Sequence, residues 1–274
     1  MTPVPGTTDA GPPPAGRHRH VRVGQVAAAT LLPLLLVLAW QVSAWIIAPR
    51  EWILPSPAVI ARTGWEVRDR LWHHAQWTLL ITVIGFTLAV VVGCLIAALI
   101  ARSRIAGRML YPWIIVSQTV PLVALAPLLV LWMPGFGAMV TLAALISLFP
   151  VVVAGVDGLR STDPELIRAM RTLGASSGWI WSHVRVPSAL PRLFTGLRLA
   201  AVFAVTGAVV GEIVASDRGL GALTRLSAGQ FETPVTFAAV AILALIGIAM
   251  FLVVAMAEWA ALPHLRRDTR PGRH

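Results

Sequence analysis

Long apolar runs constrain this chain more than any other feature. A helix needs about 20 consecutive apolar residues to cross the hydrocarbon core of a bilayer. The sequence offers six stretches of roughly that length: Val26 to Ile47, Ala75 to Ala101, Trp113 to Met133, Ala138 to Val156, Leu193 to Val214 and Phe237 to Leu262. They predict an all-α membrane protein with six transmembrane helices. Composition agrees, because 57% of the 274 residues are hydrophobic, only 12% are charged and the mean hydropathy is +0.78. A water-soluble domain of this size is much more polar.

The third run carries Pro121 and Pro127 and ends at Pro134 and Gly135. It is expected to be kinked or broken, as membranes allow where freed carbonyls are buried in protein or line a cavity. Arginines set the orientation, since basic residues near span ends concentrate on the cytoplasmic side. With the N-terminus inside, sixteen of the 22 arginines fall on inner segments and six on outer ones. The outer six are diluted by Glu51, Glu66, Asp69, Asp217 and Glu232. Both termini are therefore predicted to be cytoplasmic. Trp45, Trp52, Trp72 and Trp77 flank the outer ends of the first two spans, as an interfacial aromatic belt does.

The predicted organisation is a disordered tail over 1–24, a first span over 25–47, an external amphipathic connector over 48–74, a core domain over 75–265 with a cytoplasmic loop at 157–192, and a basic tail over 266–274. The first 24 residues are too rich in Pro, Gly, Thr, Arg and His to bury a core. Arg17 to Arg22 ahead of an apolar run, with Val42-Ser43-Ala44 beyond it, also has the outline of a cleaved signal peptide. A run long enough to span, and the charge pattern downstream, favour a retained helix.

Several functions are excluded by what is missing. All basic residues are arginine, and a phosphate-cradling P-loop needs a lysine, so the chain is not an ordinary P-loop ATPase. The single cysteine, Cys94, permits neither an intrachain disulfide nor a thiol metal cluster. The net charge of +10 comes from short clusters between apolar runs, a pattern that does not suit a nucleic-acid partner. All seven histidines lie outside the spans or at their edges, which leaves no Ser-His dyad or His-based metal site at membrane depth. No metal or cofactor is expected on this chain, and no enzymatic activity.

The inner loop at 157–192 carries clear helix punctuation. Asp163 is a suitable N-cap, Pro164 suits the first helical position, Glu165 complements the helix dipole and Gly174 suits a left-handed stop. Leu166, Ile167, Met170 and Leu173 share one face, which makes this helix amphipathic. A second short helix is predicted from Ser176 or Ser177 through Trp179 and Trp181 to a stop at Pro187. From the residues alone, the loop reads either as a helix lying on lipid headgroups or as a docking element for a cytoplasmic partner.

The segment Arg168-Ala169-Met170, three residues, Gly174, nine residues, Val184-Arg185-Val186-Pro187 resembles the signature Glu-Ala-Ala, three, Gly, nine, Ile-x-Leu-Pro of binding-protein-dependent ABC importer permeases. The resemblance runs from about Ile53-Leu54-Pro55-Ser56-Pro57 to Pro263 and is strongest to the nitrate, sulfonate, taurine and thiamine-precursor group. It implies a type I importer fold in a bacterial inner membrane and a second copy of the chain as partner. It also implies a cytoplasmic ATPase dimer that holds ATP and Mg, and an external binding protein that delivers the solute. The loop would be the coupling helix, with Glu165, Arg168, Ala169, Met170, Arg171, Gly174, Ala175, Val184 and Pro187 at the ATPase contact. The chain departs from the signature at two positions, with Arg168 replacing the acid and Met170 the second alanine.

Polar groups within spans mark the candidate substrate path. Glu212, near the outer end of the fifth span, reads as an interfacial carboxylate or as a pore-facing or gate-stabilising one. Ser117, Gln118 and Thr119 beside Pro121 read either as path lining or as helix-helix glue. Gly207 and Gly211, four apart, point to close helix packing. The resemblance of Gln118 to Pro127 and of Gly207 to Glu212 is greatest to permeases for pyrimidine thiamine precursors or riboflavin. A heteroaromatic solute is thereby implied ahead of nitrate, alkanesulfonate or taurine.

Overall fold

The computed structural model describes residues 17–47, 50–133 and 135–262, with side chains from Leu31 onward. Every regular element among them is helical: α1 (Arg17–Ile47), α2 (Pro57–Glu66), α3 (Arg68–Arg102), α4 (Arg104–Ser117), α5 (Leu122–Trp132), α6 (Phe136–Arg160), α7 (Pro164–Thr172), α8 (Ser177–Ile180), a π-helical turn (Trp181–Arg185), α9 (Val186–Ala215), α10 (Leu220–Gly229) and α11 (Thr233–Ala261). Contacts divide the chain into two units at Val59 and Ile60.

In the first unit, α1 exposes Leu31, Leu32, Leu34, Leu35 and Leu36, and the Gln41 side-chain carbonyl accepts the Ala58 N–H at 3.0 Å. The described part of this helix begins at Arg17, inside the segment expected to be a disordered tail. The rest of that tail, residues 1–16, and the basic tail at 266–274 lie outside the described residues.

The second unit holds four helices long and apolar enough to cross a membrane: α3, α6, the continuous run Ser177–Ala215, and α11. α4 and α5, bent by 99° at their junction, bring the number to five where the pair is counted as one broken span. The fold is thus an all-α, multi-span one with four to five apolar crossings. Within α1, Leu31–Ile47 is a further apolar helical stretch.

The break in the fifth crossing falls where the prolines predict it. Pro121 has no N–H to donate and keeps residue 120 out of the helical region. α4 accordingly stops at Ser117, and α5 restarts with Pro121 as its N-cap. α3 begins at Arg68, so residues 68–74 form the first turns of a span and do not belong to the connector. Asp69 in its first turn and Arg102 in its last suit the helix dipole.

α6 is the central helix, with 61% of its apolar window buried against 28% for α3 and α11. Near one end, Ile81 of α3 meets Met139 and Ala143 of α6 and Ala208 of α9. Towards the other, Ala97 and Ile100 meet Val152 and Val156. α11 covers α9 through Met250 and Val254 against Ala201 and Val205. Lipid supplies no hydrophobic drive between helices, so close approach through small residues carries the association. Gly207 and Gly211 do this against α6: a Cβ at Gly207 would lie 2.6 Å from Ala143 Cα, and one at Gly211 2.9 Å from Met139 Cα. The packing role expected for this glycine pair is what the structure shows.

Candidate functional site

The loop between α6 and α9 is built as its punctuation predicts, with one exception. The Asp163 carboxylate accepts the Glu165 N–H at 2.8 Å and Pro164 opens α7. Gly174 has φ of +85°, and Ala175 N–H returns to the Met170 carbonyl at 3.0 Å to close the helix. A Cβ at Gly174 would meet nothing within 4 Å, so glycine is needed there for the left-handed backbone and not for space. The Ser176 hydroxyl then accepts the Trp179 N–H at 3.2 Å and α8 begins.

The exception is Pro187, which does not stop the second helix. Trp181–Arg185 widens into a π turn in which Val186 N–H reaches back to the Trp181 carbonyl, and α9 continues from Val186. Pro187 falls in the first turn of α9, and the wider turn ahead of it lets the chain pass without a break.

The apolar face of α7 is divided. Ile167 is buried, whereas Leu166 and Leu173 are 41% and 79% exposed. Glu165, Arg168, Ala169, Arg171 and Gly174 are exposed, and Met170, Ala175, Val184 and Pro187 are half-buried. Glu165 and Arg168 approach each other at 3.7 Å with both side chains largely in solvent, a pair of little energetic consequence. Trp179 stacks on His183 at 4.8 Å on the same outer surface.

The residues proposed for a substrate path fall into two separate settings. Ser117, Gln118, Thr119 and Pro121 are exposed at the α4–α5 break. There the Ser117 and Thr119 hydroxyls donate to the Ile114 and Val116 carbonyls at 2.7 Å each. Glu212 is fully buried elsewhere. Its Oε2 accepts the Gly221 N–H at 2.8 Å and the Thr78 hydroxyl at 3.0 Å, and Leu220 N–H donates to Thr78 Oγ1 at 2.8 Å. His74 Nδ1 lies 3.0 Å from the Gly219 carbonyl. The carboxylate therefore ties α9 to α3 and to the start of α10, and it does not reach headgroup water as an interfacial glutamate would.

Sequence reading missed Thr78, Gly219 and Gly221. The available signal was the Gly219-Leu220-Gly221 triplet between the fifth and sixth apolar runs. Also missed was an ion pair between α9 and α11, Arg198 to Glu258 at 3.0 Å. No group of three or more metal-ligating side chains occurs among the described residues.

Residues 89–259, which run from the middle of α3 through the loop between α6 and α9 into α11, match the family described as binding-protein-dependent transport system inner membrane component. The chain belongs to this family. It is 37% identical over 247 residues to the formylaminopyrimidine transport permease protein ThiX of Halalkalibacterium halodurans, covering 89% of this chain and 98% of that protein. It is 38% identical over 228 residues to the riboflavin transport system permease protein RibX of Chloroflexus aurantiacus, covering 82% of this chain and 85% of that one. The fold is similar to a chain of the inward-facing MetNI methionine ABC transporter, with a TM-score of 0.61 and 18% identity over 71% of this chain and 97% of that one. As an inner-membrane component of such a system, this protein is a multi-pass ABC importer permease that moves a small solute handed over by an external binding protein. It is not the subunit that hydrolyses ATP.

Proposed function

We propose that this permease crosses the membrane six times with both termini in the cytoplasm, pairs with a second copy, and docks one ATPase of a dimer beneath each copy through α7 and α8. The observation that carries this reading is the built loop from Asp163 to Arg185: two short helices joined at a left-handed glycine, with Leu166, Leu173 and Trp179 exposed. A lone surface loop has no need of such construction, and exposed apolar side chains on it suit a partner. Glu165, Arg168, Ala169, Met170, Arg171, Gly174, Ala175, Val184 and Pro187 make or shape that contact. ATP and Mg act on the partner ATPase. Ser117, Gln118, Thr119, Pro121 and Glu212 border or brace the path of the solute.

The solute is a small heteroaromatic, a pyrimidine precursor of thiamine or a flavin. This rests on the names of the two relatives above, at 37% and 38% identity. The test is uptake into right-side-out vesicles that carry this chain and its ATPase, with ATP enclosed and the binding protein outside. Labelled aminopyrimidine or riboflavin should accumulate only with ATP and only with the Walker-containing subunit present. Equal accumulation without that subunit would overturn the ATP-driven reading. One copy of this chain beside a different permease, by mass measurement of the solubilised complex, would overturn the pairing.

Arg168 gives a sharper test. A cation stands where the family signature has an acid, and like charges facing each other across an interface cost several kcal/mol. The cognate ATPase is therefore expected to present an Asp or Glu opposite Arg168. Arg168→Glu should weaken ATPase pull-down by about tenfold or more, and charge reversal on the ATPase should restore it. If Arg168→Glu assembles normally and Glu165→Arg does not, the acidic contact belongs to Glu165.

A further inference from the structure

Two cavities meet at Trp181, and their chemistries are opposite. One, of about 220 Å³, is lined by Arg102, Arg171 and Arg185 with Ser177, and has the buried Ile167 and Ile180 at its base. The other, of about 210 Å³, lies between α3, α6 and α9 and is lined by apolar groups that include Ala97, Ala98, Gly155, Leu159 and Leu193, with Cys94 beside them. Trp181 borders both.

None of the three arginines forms an ion pair among the described residues, and the cavity they line contains no acidic side chain. Arg102 lies 5.9 Å above the Trp181 ring. Three convergent guanidiniums without counter-charge call for an anion with several acceptor oxygens, as a phosphate diester has.

Depth narrows the anion further. Arg102 is the last residue of α3 and Arg185 the last before α9, so the basic cavity sits where two spans leave the bilayer. The apolar cavity lies further into the same spans. Arg171 follows Ile167 by one helical turn and lines this cavity beside it while remaining exposed. A free phosphate or an acidic side chain of a docked protein would leave the apolar cavity unfilled. An amphiphile fills both. Basic pockets between membrane helices on the cytoplasmic side are suited to anionic headgroups.

We propose that these adjoining cavities hold one anionic phospholipid of the cytoplasmic leaflet, its phosphate among Arg102, Arg171 and Arg185 and the start of an acyl chain against Ala98 and Leu193. The leaflet assignment rests on the orientation given under Proposed function. The lipid would brace the π turn through which the docking helices join α9.

The test is lipid retention by the full-length chain in detergent, read by native mass spectrometry during titration with phosphatidylglycerol or phosphatidylcholine. Phosphatidylglycerol should be held at least about tenfold more tightly, and Arg102→Gln with Arg185→Gln should remove that preference. Ala98→Phe, which fills the apolar cavity and removes no charge, should also weaken retention of phosphatidylglycerol. Equal retention of the two lipids by the parent overturns the proposal. So does displacement of phosphatidylglycerol by millimolar inorganic phosphate, which would make the site one for small anions. If the double variant keeps the lipid preference and loses the ATPase in a pull-down, the guanidiniums serve an acidic protein partner and the proposal falls. Retention is read on the chain alone, so a failed ATPase contact leaves it measurable.

Discussion

Gly219→Ala is expected to deplete the folded permease more than any other single-methyl change. Gly219 has φ of +98° and ψ of 160°, a region essentially confined to glycine and costing about 1 to 3 kcal/mol for other residues. The added Cβ would also overlap the Glu212 carboxyl group. Moving that group away breaks its bonds to Gly221 N–H and the Thr78 hydroxyl, and each buried polar group left unsatisfied costs about 1 to 3 kcal/mol. One backbone term and two polar terms sum to about 3 to 9 kcal/mol, a large share of the stability of an ordinary domain. Thermal unfolding in detergent and the level of protein in membranes measure the effect. A Glu212→Ala background removes the overlap, so adding Gly219→Ala there should cost only the backbone term. Parent-like melting of Gly219→Ala would show that the buried carboxylate does not fasten this corner.

The second large effect is expected at Gly207. Its missing Cβ leaves room for backbone on the facing helix, Ala143 Cα at 2.6 Å, Leu142 O at 2.9 Å and Ala143 N at 3.0 Å from where that atom would lie. Backbone cannot rotate aside as a side chain can, so Gly207→Leu must push α6 and α9 apart. Overpacking a close contact costs about 1 to 3 kcal/mol, occasionally more, and here the central helix pair carries the strain. The variant should insert into the membrane at the parent level but lose most of its folded, uptake-competent form. Gly247→Leu is the control, since a Cβ at Gly247 meets nothing within 4 Å. Equal folding of the two variants would contradict the packing argument.

How far the fold was legible follows from the length scale of each signal. Runs of about 20 apolar residues announce spans, and the four long helices and the broken fifth crossing lie where those runs fall. Caps act within one turn, which is why Asp163, Pro164, Gly174 and Ser176 were readable one by one. Pro187 misled because a proline's local effect depends on the turn before it, and a π turn has no clear sequence mark. The Glu212 cluster was illegible for another reason: Thr78 and Glu212 are 134 residues apart in sequence. An isolated glutamate in an apolar run signals that something satisfies it, but not what. The arginine cavity gathers residues from α3, α7 and the π turn, and neither charge counting nor the signature that holds Arg171 and Arg185 brings the three together.

The continuity of the helix that follows the docking loop has a mechanical consequence. From Val186 to Ala215 it is one 30-residue element, roughly 45 Å long at 1.5 Å per residue. Its far end is anchored by Glu212, while its near end joins α7 and α8 through a wide, compliant turn. It is a lever with its fulcrum at the anchored end, and a tilt of only about 5° sweeps the near end by about 4 Å. Run in reverse, a displacement of a few ångströms at the near end produces only a slight rotation at the Glu212 corner, so the handle moves far and the hinge barely turns.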